Sequence, residues 1–412
     1  MEETAAVSLP ADVLLEILFG VKDDPATLFR CATTCRQWLR LIVDPSFLRR
    51  CWPPENARCC ALVGFFTQEE RPGPRGATFR TPCFVPAPRS SLASLGRRAL
   101  RSLVPSAPAG LFDRAVPVAA RHGLLLMRLT RPEDPNRAAV HLAVYDPLSG
   151  AYHLLPPVEW CSASTAYNGY AILTGADCRP SKRRRPPMMM PCFKVLMIDI
   201  DYNVYTFTSE EASWSRVPHV CLGDACAREH MVFPCSEAVV HHGAAHWRRG
   251  SSTMNMNAET GHLSRTELPI PRHNTTGRSY GKRCLGTAVI DDGESPSLLW
   301  MRQGSPLEVE IWERHGEEDG VNDDTLAWQC ARVVEIKQAK DMTETQAKTL
   351  HVLAEKCGTL LISDNGHRRF YVADLKTGTM EEVRGWPQYW RKVVPFETDW
   401  PSIFIHRLGG RC

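Results

Sequence analysis

The sequence predicts an α+β, multidomain chain: a small three-helix unit at the N-terminus, then an all-β, propeller-like domain. Three observations carry this. Apolar residues recur at helical spacing chiefly within residues 8–50. Beyond residue 110 one turn-and-strand pattern returns three times. And the 412 residues include 31 prolines and 27 glycines, so the chain turns often and long helices are scarce. The length suits two domains better than one small core.

The helical part begins with Ser8, a capping residue type, and Pro10, which suits a first helical turn because its missing N–H would be unpaired there. Leu14, Ile17, Leu18 and Val21 follow as one apolar stripe, and Gly20 marks the helix end. Asp24-Pro25 repeats the start signal, and Leu28, Ala32, Cys35 and Leu39 continue at three- and four-residue steps. Asp44-Pro45 starts a third short helix carrying Phe47 and Leu48. Three short helices can hardly bury Leu9, Leu14, Leu15, Ile17, Leu18, Phe19, Leu28 and Phe29 among themselves. The surplus meets either a partner or the chain's own C-terminal domain.

The ordered series Leu9-Pro10-x-Asp12-x-Leu14-Leu15-Glu16-Ile17-Leu18, Asp24-Pro25-x-x-Leu28 and Cys35-Arg36-x-Trp38-x-x-Leu41-Ile42-x-Asp44-Pro45-x-Phe47 resembles an F-box, in the form common in plant F-box proteins. It covers about a tenth of the chain. The resemblance implies docking onto the Skp-type adaptor of a cullin-RING ligase. By motif position it assigns Leu9, Pro10, Leu14, Ile17, Leu18 and Leu28 to the adaptor surface. Cys35, Trp38 and Leu41 become packing residues within the unit. The sequence departs from the pattern at Gly20, where a basic residue is frequent, at Thr34, and in a slightly long connector through Val21–Pro25.

Residues 67–110 are rich in proline, arginine, serine and glycine and read as an irregular connection with a short strand near Thr81–Val85. The recurring pattern follows. Its first copy joins His122-Gly123 and Leu124–Met127 to Leu142–Tyr145, Asp146–Gly150 and Tyr152–Pro156. Its second joins His242-Gly243 to Trp247, Met254–Asn257, Glu259-Thr260-Gly261 and Leu268-Pro269. Its third joins Cys357-Gly358 to Leu360–Ile362, Phe370–Asp374, Gly378 and Trp386-Pro387. Glycine suits the positive-φ sites of such turns, and Asp or Ser bonds the local backbone. Further strand pairs lie between the copies, at 193–207 and 307–336. Short strands with repeated turn chemistry suggest propeller blades, six to eight of them from about residue 55 to the end at roughly 40–50 residues each. A stacked sandwich is the alternative. Tyr145-Asp146-Pro147-Leu148-Ser149-Gly150 with Leu154–Pro157, and His242-Gly243 with Trp247, also resemble the F-box-associated β-propeller region of plant proteins.

The expected domains are 1–52, the helical adaptor-binding unit; 53–110, a linker with the first strands (from 58–66); and 111–412, the β domain that holds a target. The N-terminus is acidic and lacks a signal-peptide pattern, and no apolar run is long enough to span a bilayer. The expectation is a protein of the cytoplasm, the nucleus or both, with its 16 cysteines mostly free thiols. A net charge of +3 argues for neither nucleic acid nor membrane as partner.

No catalytic set, metal site or cofactor is expected. His219, Cys221, Cys226, His230 and Cys235 lack a zinc-ligand spacing. Residues 277–283 brush against a phosphate loop but lack its spacing and the Ser or Thr after lysine. Lys182–Arg185 is a solvated loop or a nuclear import signal. The functional expectation is a substrate-recognition subunit of an SCF-type (Skp-cullin-F-box) ubiquitin ligase. The alternatives are a non-degradative scaffold and a module for a carbohydrate or small ligand. Loops near Trp160, Lys182–Arg185 and Trp386–Trp390 are the candidate target contacts.

Overall fold

A computed structural model describes residues 9–22, 24–52, 60–71, 78–79, 81–90, 93, 96–99, 110–129, 139–147, 150–159, 168–175, 177, 192–199, 201–217, 237–249, 252–269, 283–286, 289–290, 293–294, 296–302, 306–315, 327–337, 349–364, 368–401 and 404–405. Among the described residues, four short N-terminal helices are followed by a six-bladed β-propeller.

The helices are α1 (Ala11–Gly20), α2 (Pro25–Thr34), α3 (Arg36–Ile42) and α4 (Pro45–Cys51). There are four rather than the expected three because the second breaks at Cys35, which is extended (φ −154°, ψ 163°). The hydroxyls of Thr33 and Thr34 both donate back to the Arg30 carbonyl (2.8 and 3.1 Å), a local alternative to continuing the ladder. Helix α1 starts one residue later than expected, with Pro10 at the N-cap, while Ser8 lies outside the described residues. Asp44 caps α4, accepting from the Ser46 and Phe47 amides at 2.8 and 3.4 Å, with Pro45 beginning the helix. Among the described residues no helix is long and apolar enough to cross a membrane.

Each blade is an antiparallel sheet, and in the second to sixth blades the strand that comes first in the chain lies innermost. The second blade is Val116–Arg121, Leu124–Leu129, His141–Tyr145 and Tyr152–Leu154. The third is Gly169–Thr174, Phe193–Ile198, Val204–Thr208 and Ser213–Val217. The fourth is Val239–His241, Ala244–Arg249, Ser252–Asn257 and Leu263–Glu267. The fifth is Arg283–Gly286, Ser297–Arg302, Leu307–His315 and Ala327–Ile336. The sixth is Leu350–Lys356, Thr359–Asp364, Arg369–Asp374 and Met380–Glu382.

The first blade is made from both ends of the chain. Cys60–Arg71, Cys83–Pro86 and Arg98–Ala99 supply its outer strands, and Trp390–Asp399 supplies the innermost one. The pairing runs from Cys60 opposite Asp399 to Glu69 opposite Trp390, with two bulges. This closes the ring and leaves no open seam. The stretch 53–110 therefore contains most of a blade, starting at Cys60.

The three sequence copies are the second, fourth and sixth blades, and the intervening strand pairs are the third and fifth. In the copies, the turn from first to second strand has two consecutive positive-φ residues: His122 and Gly123 (46° and 85°), His242 and Gly243 (44° and 73°), Cys357 and Gly358 (52° and 71°). Such turns match the twist of the strands they join. Middle strands sit between neighbouring blades and are buried on both faces, so they read as continuous apolar runs such as Leu124–Met127 rather than as alternation. The layers between blades are apolar: Val118, Leu126 and Val144 with Ile172 and Val195, for example.

Gly169 marks a close approach between the third and fourth blades. A Cβ there would lie 2.6 Å from Trp247 Cδ1 and 2.7 Å from Ile198 Cγ2, against a tryptophan ring that is fully buried. Gly169→Ala is accordingly expected to destabilise the protein by about 1–3 kcal/mol through overpacking. Urea unfolding followed by tryptophan fluorescence checks this; an unchanged midpoint would mean that the ring shifts freely.

Candidate functional site

The helical unit offers one apolar surface to solvent. Leu9, Val13 and Ile17 are 48%, 42% and 50% exposed and follow one another at four-residue steps along α1 and its N-terminal edge. Pro10 is exposed beside them. Phe29 on α2 is exposed as well. Exposed large hydrophobic side chains aligned on one face are a contact surface in waiting.

The adjoining side of α1, about 100° round the helix, is the unit's own core. Leu14 and Leu18 are buried with Leu28, Leu39, Ile42, Phe47 and Leu48. Leu14, Leu18 and Leu28, assigned above to the adaptor surface, thus point inward, and only Leu9, Pro10 and Ile17 of that set face out. The physical reason is that α1 is apolar on two sides, and its buried side is the one matched to α3 and α4. Cys35 is also corrected: it is exposed at the α2–α3 break rather than packed. Trp38 and Leu41 are half-buried against the core. Val13 was missed, although its spacing from Leu9 and Ile17 carries the signal. Glu16 and Arg50 join α1 to α4 across the surface by a two-pronged ion pair (2.8 and 3.1 Å), with the guanidinium 4.2 Å over the Phe19 ring.

The propeller's distinctive chemistry lies at its axis. Arg121, at the end of the second blade's inner strand, donates to Asp177 Oδ1 at 2.6 and 3.0 Å and to Glu397 Oε1 at 3.3 Å. Lys356, at the same place in the sixth blade, donates to the Ala120 carbonyl at 3.1 Å and to Glu237 Oε1 at 3.4 Å. Its Nζ lies 3.6 Å from Glu397 Oε1. Glu237 also accepts the Ala120 amide at 2.9 Å. Asp177 and Glu397 are 3% and 2% exposed at their side chains.

Burial by itself would raise Glu397, but the Lys356 ammonium and the Arg121 guanidinium outweigh it and hold the carboxyl at about 2. Asp177 is likewise held down against burial by Arg121. Burial would lower Lys356, and Glu237 and Glu397 raise it instead. Burial wins at Glu237, whose carboxyl is raised despite Lys356. His122 is lowered by burial and by Arg121; its Nδ1 shares a 2.7 Å hydrogen bond with Thr174 Oγ1. The charges are thus committed to one another, tying the first, second, third, fourth and sixth blades together. Arg121, His122 and Lys356 lie at the turns of the sequence repeat, but nothing in their spacing links them to Asp177, Glu237 or Glu397.

Of the candidate target contacts, Lys182–Arg185 and Trp160 lie outside the described residues, as does the His219–Cys235 cluster. The two tryptophans near 386–390 are half-buried. The Trp386 ring stacks on Phe370 (4.1 Å, 15°) and Trp390 meets it edge-on (5.5 Å, 81°). Tyr389 between them is exposed, with Arg368 4.9 Å over its ring. Among the described residues no group of His, Cys, Asp and Glu is placed to hold a metal ion.

Residues 6–52 match the F-box-like family. A search of curated protein sequences returns no match. Solved structures that align with the chain include one from the nidogen/laminin complex (10% identity, 80% of this chain and 97% of that one, TM-score 0.39). Others are apo AztD from Citrobacter koseri (11%, 69% and 63%, 0.29) and YCF48 from Cyanidioschyzon merolae (10%, 78% and 85%, 0.35). At these TM-scores the propeller assignment rests on the strand pairing itself.

Proposed function

We propose that this chain is the substrate-recognition subunit of an SCF-type ubiquitin ligase, with the plant-type F-box that its motif resembles. The helical unit docks a Skp-type adaptor, and through it the cullin-RING assembly, by the face bearing Leu9, Val13 and Ile17. The observation that carries this is the coincidence of an F-box-like match over residues 6–52 with an uncovered apolar stripe on the first helix of that unit.

The role is positional. The propeller holds a target protein near the ligase's charged ubiquitin carrier, and transfer accelerates because a target lysine is kept at high effective concentration. No residue of this chain performs chemistry in that scheme, in the cytoplasm or the nucleus. Cys60 and Asp399 face each other at one end of the first blade, so the helices attach at that end. The turns from first to second strands emerge there too. The connection through Trp386–Tyr389 leads into the start of the closing strand, at the opposite end, and its exposed Tyr389 with Arg368 is the described surface proposed for target contact.

The test is a pull-down with purified Skp-type adaptor, comparing wild type with Leu9→Ala/Val13→Ala/Ile17→Ala. Leu14 and Leu18 are left alone because truncating them would unfold the unit. Losing three exposed anchors should weaken binding by about 100-fold or more, with an unchanged circular dichroism spectrum. Equal binding by the variant would sink this docking face. A well-folded wild type that does not bind would sink adaptor docking altogether.

A further inference from the structure

The last described residues of the chain belong to its first folded unit. After the closing strand ends at Asp399, Trp400 is buried and Phe404 has no exposed surface. The Phe404 ring lies 6.2 Å from Phe29 of α2 and stacks at 5.8 Å and 21° on Trp52, the C-cap of α4. One continuous core takes in Leu18, Leu28, Ile42, Phe47 and Leu48 from the helices, Trp400 and Phe404 from the C-terminus, and Phe66, Phe84 and Phe396 from the first blade.

Four helices of seven to ten residues bury little surface by themselves, and isolated helices of that length are marginal in water. A buried aromatic inserted between α2 and the end of α4 is therefore a large part of what holds them in register. Its position is set by the strand before it, which is the strand that closes the ring.

We propose that Phe404, with Trp400, is a strap that completes the helical unit from the far end of the chain, so that the adaptor-docking face is assembled only once the propeller has closed. The docking half of this statement rests on the function proposed above; the strap itself does not. A chain lacking its C-terminus would still carry the full motif over residues 6–52 and yet present it poorly. Its apparent affinity for the adaptor would be reduced by the fraction of molecules in which the helices are folded.

The experiment compares full-length wild type with Phe404→Leu and Phe404→Ala by hydrogen exchange and by binding to purified Skp-type adaptor. Exchange in α1–α4 is expected to rise in the order wild type, Leu, Ala, while the blade strands stay protected. Adaptor affinity should fall at least about tenfold for the alanine variant and by less for the leucine variant. Unchanged helix protection in Phe404→Ala would overturn the proposal. Loss of protection throughout the blades would overturn it too, since Phe404 would then hold the propeller rather than the helices. If wild type does not bind the adaptor, docking fails, but the exchange measurement still decides whether the strap exists.

Discussion

Glu397→Gln is expected to destabilise the protein by about 3–5 kcal/mol, because it leaves buried cations without their shared counter-charge. Glu397 accepts from Arg121, lies 3.6 Å from Lys356 Nζ, and also accepts from Cys357 Sγ at 3.2 Å. An amide fills the same space but supplies no charge, and one of its two oxygens becomes a donor. Glu237→Gln, only a few ångströms away, is expected to cost less than about 1 kcal/mol. Burial raises that carboxyl despite Lys356, so less charge stabilisation is lost there, and an amide oxygen can still accept from Ala120.

The pH dependence follows from the same group. Glu397 is depressed from 4.5 to about 2, so its contribution is fully present above 4.5 and is lost as pH falls through that range towards 2. The fall corresponds to about 3 kcal/mol. Urea unfolding at pH 7, 5 and 3 should show wild type losing stability steeply at the acid end and Glu397→Gln losing less. Parallel losses in the two proteins would place the acid sensitivity elsewhere.

Deleting residues 390–412 is expected to abolish the cooperative fold. The deletion removes the whole innermost strand of the first blade and unpairs the backbone of Cys60–Glu69. It strips Phe66 and Phe84 of Phe396 and removes Glu397 from the axis. Each of these losses alone is worth several kcal/mol, against a total stability of about 5–15 kcal/mol for typical domains. Far-UV circular dichroism would show residual β-structure with no sharp thermal transition. A truncated chain that melts cooperatively near the wild-type temperature would mean that five blades are self-sufficient.

How far the fold was legible from sequence differs blade by blade. The second, fourth and sixth blades announce themselves because each repeats a His-Gly or Cys-Gly pair at its first turn, where glycine takes a positive φ without strain. The third and fifth are visible only as apolar strand pairs. The first is not visible as a blade, because its defining contact joins Cys60 to Asp399 and no local signal reports a pairing that distant. The helical unit is legible as a motif, but the motif does not say which leucines face inward. Leu14 and Leu18 differ from Leu9 and Ile17 in which neighbours they meet, not in chemistry. The ion cluster was invisible for the same reason as the first blade. Arg121, Asp177, Glu237, Lys356 and Glu397 are ordinary surface-type residues until the ring brings them to one axis.

The two-ended first blade also sets a timetable for synthesis. The ribosome releases the strand Cys60–Arg71 early, yet its partner begins only at Trp390, 319 residues after Arg71. At typical elongation rates that interval is roughly 15–60 s. Throughout it the nascent chain carries a twelve-residue strand with one unsatisfied edge and the apolar side chains Phe65 and Phe66, a standing invitation to misassociation. A chaperone that covers this edge until translation ends would be acting at the point where the newborn chain is most exposed.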